Sequence, residues 1–494
     1  MQHPEPTNSQ TPLDAGEPTP LSASDSAAAT AALPAGQAGP QSRRELLLAM
    51  SGIAASAVVV AFDSTIVSTS LPKVAQALDG IAAYAWVGTG YFLASAVSIM
   101  IFGRLGDLYG RKRLLLTALA IVTLSSVLCG VAQTMGQLIC FRVFQGLGGG
   151  MMMATAFAAP ADLFPDPRRR VRWMVLISSS FAVASGLGPV LGGAVTEALG
   201  WRAAFFVTPL AALTALFLVW RFFPTIQSTR ANAPSLDWLG ALVLVIAVGA
   251  PLTGMGRLSA ATTGAEQLWA LGVIALGLAA VALLIPVERR AVTPIFPLRI
   301  LRSREAKLLN MAGVMAGAVM FILIFYLPLL LQDEFNFSPT YAGLLLTPLV
   351  AVMPLGSIIN GRLFSRQSEP ARLMIFGSVL LGLGCLLTLT FSANSPAWWI
   401  VLTMSTCGAG LGFLLPNFTL FMQMLAEQRD VGVASALIQT TRAFGGAVGT
   451  ALVGIAVAKI SVTMGVRFGL VLCVILCGLI GWVCGQIHIK NVTR

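Results

Sequence analysis

The sequence predicts an all-α membrane protein that crosses the bilayer fourteen times. Hydrophobic residues make up 56% of the 494 residues and charged residues only 10%, whereas a soluble domain carries about 25% charged residues. The mean hydropathy is +0.83, and the apolar residues fall in fourteen runs of about 20 residues, the length of a membrane-spanning helix. Because the bilayer offers no water to unpaired backbone groups, each run is expected to be helical.

The first predicted span covers residues 46–71, and the segment before it is different in composition. Residues 1–42 are rich in Ser, Thr, Ala, Pro, Gly and Gln and contain no Lys or Arg. Such a segment cannot bury enough apolar surface to fold. We therefore predict a disordered cytoplasmic tail over residues 1–44, and Arg44 precedes a span too long for a cleavable signal peptide.

An internal repeat divides the remaining chain. The run Gln145-Gly-Leu-Gly-Gly-Gly-Met in the fourth span resembles Cys407-Gly-Ala-Gly-Leu-Gly-Phe in the twelfth. We expect an N-terminal six-helix half over 45–224, two inserted transmembrane helices with a linker over 225–300, and a C-terminal six-helix half over 301–494. Repeats that enclose a central site are typical of secondary transporters.

The positive charges predict the orientation. With the tail inside, 24 of the 31 Lys and Arg residues lie in inner loops and tails and five lie in outer loops, as the positive-inside rule requires. Both termini are therefore expected on the cytoplasmic side of the cell (inner) membrane. The same distribution explains the net charge of +11 without nucleic acid as a partner.

The inventory of reactive side chains argues against an enzyme. His3 and His488 are the only histidines, and the seven cysteines all lie in apolar runs without a CxxC pair, so no metal and no cofactor are expected. The nucleotide-binding pattern GxxxxGK[ST] is absent from the sequence, which argues against ATP as the energy source.

Asp63 is the acidic residue that lies well inside a predicted helix. An ionised Asp near the centre of a membrane helix costs about 3 kcal/mol on insertion scales. It should therefore face a protein cavity, and a carboxyl that gains and loses a proton is what a proton-coupled carrier requires. A permanently protonated Asp63 that hydrogen-bonds a neighbouring helix is the alternative.

Arg142 is the natural partner of Asp63, because a guanidinium cannot lose its proton and would otherwise be a second isolated charge in the membrane. The alternative is that Arg142 only binds backbone carbonyls. Arg442 lies nearer the inner end of the thirteenth span and could extend to the interface, so it is a secondary candidate.

Four motifs, in the correct order, resemble known signatures. The loop Gly103-Arg-Leu-Gly-Asp107-Leu-Tyr-Gly110-Arg111-Lys-Arg113 is similar to the signature of the major facilitator superfamily between its second and third helices. The others resemble the 14-span drug:proton antiporter family: Asp63-Ser-Thr-Ile-Val-Ser-Thr-Ser-Leu-Pro72, Arg142-Val-Phe-Gln145-Gly146-Leu-Gly148 and Gly188-Pro189-Val-Leu-Gly192-Gly193. The resemblance covers residues 46–487 and implies the major facilitator fold.

The resemblance also implies roles for the matching residues. Asp107 and Arg111, with Gly103, Gly110 and Arg113, would form a conformational interlock that steadies the outward-open state. Asp63 and Arg142 would take part in proton coupling, with Gln145 and Gly146 as secondary candidates. The element that is associated with antiport comprises Gly188, Pro189, Gly192 and Gly193.

The function expected from the sequence is a proton-coupled exporter of amphipathic or cationic compounds such as drugs, working by alternating access. Its partners would be a small-molecule substrate, protons and the lipid bilayer. The short outer loops do not require a periplasmic adaptor protein, which remains a candidate partner. Export or uptake of an endogenous metabolite, lipid or siderophore, a channel and a membrane-embedded enzyme are the alternatives.

Overall fold

The computed structural model describes residues 43–164, 167–225, 237–261, 263–291, 300–364, 371–426 and 431–487. The predicted tail therefore lies outside the described residues, except for Arg43 and Arg44, which begin the first helix. Both histidines also lie outside them.

Fourteen α-helices and no strand occur in the described ranges. They are Arg43–Ala77 (α1), Tyr84–Tyr109 (α2), Arg111–Val131 (α3), Met135–Leu163 (α4), Pro167–Leu199 (α5), Trp201–Phe222 (α6), Trp238–Ala260 (α7), Gly264–Arg290 (α8), Arg304–Leu329 (α9), Pro339–Phe364 (α10), Ala371–Thr388 (α11), Ala397–Leu425 (α12), Val431–Lys459 (α13) and Val462–Gly485 (α14). A π-helical turn, Leu330–Glu334, follows α9.

Thirteen of these helices contain a described stretch that is long and apolar enough to cross a membrane. In the remaining helix, α7, the described apolar stretch is Leu239–Pro251. The prediction of an all-α membrane protein is confirmed. The helices extend beyond the predicted spans, and α1 continues through Pro72 to Ala77, since neighbouring helices in a membrane bundle can satisfy the backbone groups that a proline leaves free.

Local sequence explains where several helices begin. Polar side chains accept a hydrogen bond from a backbone N–H of the first turn at Thr134, Asp237, Ser303 and Ser461, which satisfies a donor that has no intrahelical partner. Between α2 and α3 the chain reverses at Gly110, whose φ of 86° is disfavoured for residues with a Cβ.

The same packing pattern occurs twice among the described residues. Within α1–α6, the main pairs are α2 with α4, α1 with α5, α3 with α4, α1 with α6, and α3 with α6. Each pair recurs within α9–α14 when eight is added to both helix numbers. We call α1–α6 the first set and α9–α14 the second set. The two sets meet mainly along two seams, α5 with α10 and α2 with α13, which the repeat relates to each other.

The inserted helices α7 and α8 pack against each other as a pair, and α7 also contacts α13 and α2. Lys459, at the end of α13, donates a hydrogen bond of 3.0 Å to the Ala261 carbonyl just after α7. The pair is thus attached to the outside of the α2–α13 seam.

The two sets are joined at the face of the bundle opposite to the one on which α1 begins. We call this face the far side. The Tyr84 hydroxyl in α2 donates to the Phe325 carbonyl in α9 at 2.7 Å, and the backbone N–H of Thr340 donates to Glu197 at 3.2 Å. In this conformation the bundle is therefore held together on the far side.

Candidate functional site

The structure brings together three of the polar residues singled out in the sequence: Asp63 from α1, and Arg142 and Gln145 from α4. Arg142 and Gln145 are three residues apart and so lie on one face of their helix. Gln145 Nε2 donates to Asp63 Oδ1, and Arg142 Nη1 lies 3.4 Å from the same oxygen. Arg142 Nη1 also donates to Gln145 Oε1 at 2.9 Å. The three residues are 0–1% exposed.

This ion pair is completely buried, which determines how its members depend on one another. A charge taken out of water is expensive, and removal of one partner of a buried pair destabilises a protein by about 3–5 kcal/mol because the other charge is left uncompensated. Asp63 and Arg142 are therefore strongly coupled, and proton uptake by Asp63 would leave Arg142 without its countercharge.

Helix α2 contributes Tyr91, an uncharged residue that the pattern of charged residues in the sequence did not indicate. Arg142 Cζ lies 4.2 Å from the centre of the Tyr91 ring, and Arg142 Nε donates to the Val87 carbonyl at 3.4 Å. Gly146 allows this approach, since a Cβ there would overlap the Tyr91 carbonyl oxygen. We call Asp63, Tyr91, Arg142 and Gln145 the Asp63 cluster.

The expectation that Asp63 faces a cavity stays a prediction. A cavity of about 10 Å³, enough for about one water molecule, lies between the sets and is lined by Thr65, Ser68 and Pro189. Asp63 instead packs against α4, because the helical register turns it away from Thr65 and Ser68. A larger cavity of about 490 Å³ lies at the far-side ends of α7 and α8, lined by residues that include Arg257 and Trp269.

The glycine and proline residues of α5 lie where α1, α5 and α10 meet. A Cβ at Gly188 would overlap the Thr65 side chain, and one at Gly192 would overlap the Ile66 carbonyl. Gly193 abuts the Pro339 carbonyl of α10, and the Pro189 carbonyl accepts a hydrogen bond of 3.1 Å from Thr69 in α1. This element therefore makes close packing contacts both within the first set and across a seam.

The loop between α2 and α3 is described only in part. Gly110 forms the turn, Gly103 lies near Ala154, and Arg113 is exposed. The Asp107 side chain lies outside the described part of the structure, so the interlock between Asp107 and Arg111 stays a prediction.

Arg442 lies apart from the Asp63 cluster. Its Nη1 donates to Gln439 Oε1, one turn earlier on α13, at 2.6 Å. Its backbone is so close to α9 that a Cβ at Gly317 would overlap the Arg442 carbonyl. The structure thus gives Arg442 a neighbour on its own helix and does not bring it to Asp63.

A bundle of two similarly packed sets of six helices, with a buried ion pair inside one of them, has the architecture of a membrane carrier. The model of the Major Facilitator Superfamily matches residues 53–450, and the chain belongs to this family. It is a multi-pass membrane transporter of small molecules, since the family and its relatives are transporters rather than enzymes.

Two relatives are similar over most of their length. Multidrug resistance protein 3 of Bacillus subtilis is 31% identical over 409 residues, which are 82% of this chain and 78% of the relative. The methylenomycin A resistance protein of Streptomyces coelicolor is 28% identical over 437 residues, 87% of this chain and 88% of the relative.

Solved structures share the fold at low sequence identity. An auto-inhibited peptide transporter of the POT family superposes with a TM-score of 0.65 at 14% identity, covering 91% of this chain and 98% of that one. A D-xylose-proton symporter gives a TM-score of 0.62 at 14% identity, with 91% and 99% covered. The prediction of the major facilitator fold is confirmed.

Proposed function

We propose that this transporter exports amphipathic or cationic compounds such as drugs in exchange for protons, working by alternating access. The names of the Bacillus subtilis and Streptomyces coelicolor relatives, a multidrug and an antibiotic resistance protein, support drug export. Protein-mediated export needs an energy source, and the sequence has no nucleotide-binding loop of the GxxxxGK[ST] type.

The observation that carries proton coupling is the completely buried pair of Asp63 and Arg142. Arg142 stays charged at every physiological pH, whereas a carboxyl can be neutralised by a proton. Binding of a proton to Asp63 therefore changes the net charge of the Asp63 cluster and weakens the attraction between α1 and α4. One proton entering down about 150 mV supplies about 3.5 kcal/mol, equivalent to a substrate gradient of a few hundredfold.

Proton access requires a change of conformation, because Asp63 is 1% exposed. In the proposed cycle the far-side contacts break, α1 moves relative to α4, and Asp63 reaches water. The close junction of α1, α5 and α10 around Gly188, Pro189, Gly192 and Gly193 would keep this route from connecting both faces at once. The interlock of Asp107 and Arg111 would steady one of the two end states.

The proposal includes an arrangement in the membrane. Residues 45–224 and 301–494 act as the two moving halves, and 225–300 form the inserted helices. Both termini face the cytoplasm of the cell (inner) membrane, so the far side faces outward. A periplasmic adaptor protein remains a candidate partner for export beyond the outer face.

The test is exchange in proteoliposomes. Purified protein is reconstituted into liposomes, and a proton gradient is imposed across their membrane. Uptake of tetraphenylphosphonium and movement of protons are then recorded together. We expect the wild type to couple the two fluxes and Asp63→Asn to reduce proton-driven transport at least tenfold while reaching similar amounts in the membrane.

Asp333→Asn is the matched control, because Asp333 is an exposed carboxylate on the far side. Its transport should resemble that of the wild type. Full pH-dependent transport by Asp63→Asn would refute the coupling role of Asp63. Substrate flux in the wild type without any accompanying proton flux would refute antiport itself.

A further inference from the structure

Tyr91 lies two turns into α2 and is 2% exposed. One face of its ring is turned to the Arg142 guanidinium, with Cζ 4.2 Å from the ring centre. Its hydroxyl lies against Gly149 of α4, where a Cβ would come within 2.7 Å of the oxygen. Two positions of α4, Gly146 and Gly149, thus lack side chains where Tyr91 approaches.

Protonation of Asp63 removes the countercharge of Arg142, and Tyr91 lies where it can stabilise the guanidinium. Arg142 cannot release its proton, and among the described residues Asp63 is the carboxylate that pairs with it. Once Asp63 is neutral, the guanidinium keeps three acceptors, Gln145 Oε1 and the backbone carbonyls of Val87 and Asp63, together with the Tyr91 ring. Attraction between a cation and an aromatic face strengthens where water is excluded.

The hydroxyl of Tyr91 has a second relationship to the cluster. Asp63 Oδ2 and the Tyr91 hydroxyl are both buried without a hydrogen-bond partner among the described residues. The two side chains are close enough for the hydroxyl to donate a hydrogen bond to the carboxylate, and such a bond is stronger when the acceptor is ionised.

We propose that Tyr91 is a positioning residue of the coupling site, with its ring holding Arg142 while Asp63 is protonated and its hydroxyl holding Asp63 while it is ionised. This inference rests on the proposed function. The titratable groups that face Asp63 in the described structure are Arg142 of α4, Tyr91 of α2 and Cys129 of α3, and the Cys129 thiol itself contacts Gln145 Oε1 at 3.5 Å.

The two functions of Tyr91 oppose each other, so two variants separate them. Tyr91→Phe keeps the ring and loses the donor to ionised Asp63, so protonation of Asp63 becomes easier. Tyr91→Leu loses the ring as well, so, compared with Tyr91→Phe, Arg142 is poorly held when Asp63 is neutral and protonation becomes harder. We expect the midpoint pH of Asp63 titration to be higher in Tyr91→Phe than in the wild type, and lower in Tyr91→Leu than in Tyr91→Phe, each by about one pH unit.

The measurement is an infrared pH titration of the purified protein in lipid nanodiscs. The band of the protonated carboxyl is assigned to Asp63 by its loss in Asp63→Asn. Phe144→Leu is the matched control, because Phe144 lies between Arg142 and Gln145 on α4 but is 53% exposed and so points away from the Asp63 cluster. Its midpoint should equal that of the wild type.

A midpoint in Tyr91→Phe that equals that of the wild type, or a midpoint in Tyr91→Leu that is not lower than that of Tyr91→Phe, would overturn the proposal. If Tyr91→Leu does not accumulate, Tyr91→Met removes the ring with an unbranched side chain. The titration needs no substrate, so its result is separate from the transport assay. These shifts without proton-coupled transport would disprove antiport and leave the effect of Tyr91 on the protonation of Asp63 intact.

Discussion

The side chain of Gln332 donates a hydrogen bond of 2.8 Å to the backbone carbonyl of Thr69. Gln332 lies in the π-helical turn after α9, and Thr69 lies in α1, so the bond joins the two sets. The Thr69 hydroxyl donates to the Pro189 carbonyl of α5. Short π-helical segments are frequent at functional sites, and this one connects α9 to α1 and, through Thr69, to α5 on the far side.

Gln332→Leu should loosen the far side. The loss of one buried hydrogen bond is worth about 1 kcal/mol, which corresponds to an about fivefold greater population of opened molecules. A cysteine in place of Ser68, which lines the small central cavity, should then react about five times faster with a membrane-impermeant thiol reagent. Cys140 is exposed and is replaced by serine in this background.

Arg467→Gln is the control for this experiment. It removes the ion pair between Arg467 and Glu334 of the π-helical turn, in which Arg467 Nη2 lies 3.2 Å from Glu334 Oε1. The pair is partly exposed, and such ion pairs contribute little to stability. Its reaction rate should equal that of the parent. An unchanged rate in Gln332→Leu would mean that this bond does not help to close the far side.

Gly193→Ala should separate α5 from α10. A Cβ at Gly193 would overlap the Pro339 carbonyl oxygen, whereas one at Gly186 on the same seam would be 3.5 Å from Ala351 Cβ, an ordinary contact. Forcing extra atoms into a close contact costs about 1–3 kcal/mol. Spin labels at Leu199 and Tyr341, both exposed, should report longer distances in Gly193→Ala and unchanged distances in Gly186→Ala. Identical distributions in the two variants would contradict this prediction.

Asn360 and Asn417 should show strong energetic coupling. Their side-chain amides exchange two hydrogen bonds of 3.0 and 2.9 Å between α10 and α12, and both residues are buried. Asn360→Leu or Asn417→Leu leaves the other amide without this partner and should lower the free energy of unfolding by about 1–3 kcal/mol. The double variant should lose clearly less than the sum of the two, as measured by unfolding in detergent. Additive losses would show that the pair is not a unit.

The sequence predicted the helices and the Asp63–Arg142 pair but not the whole cluster. Long apolar runs identify membrane helices, because in the bilayer the backbone N–H and C=O groups must form their hydrogen bonds within the protein. Two isolated charges of opposite sign inside a membrane favour pairing with each other. Tyr91 could not be found in this way, because a tyrosine in an apolar run is ordinary and its contact depends on how α2 is rotated toward α4. Arg142 and Gln145 do suggest a shared helix face, since they are three positions apart, which is about one helical turn.

The bond between Gln332 and Thr69 was even less accessible to sequence analysis. It joins residues 263 positions apart and depends on a π-helical turn that the apolar pattern does not reveal. Likewise, the contact of Gly193 in α5 with Pro339 of α10 follows only from how the two sets are placed.

The two seams have different surroundings, because the pair of α7 and α8 is attached to the outside of the α2–α13 seam. No described residue of α2 is exposed, whereas α10 exposes Leu344, Leu355 and Ile358 at 54%, 58% and 54%. Parting of α2 from α13 therefore opens toward other protein, and parting of α5 from α10 opens toward hydrocarbon. When the seams part, a molecule dissolved among the acyl chains could therefore enter directly between α5 and α10, whereas α7 and α8 would shield the gap between α2 and α13.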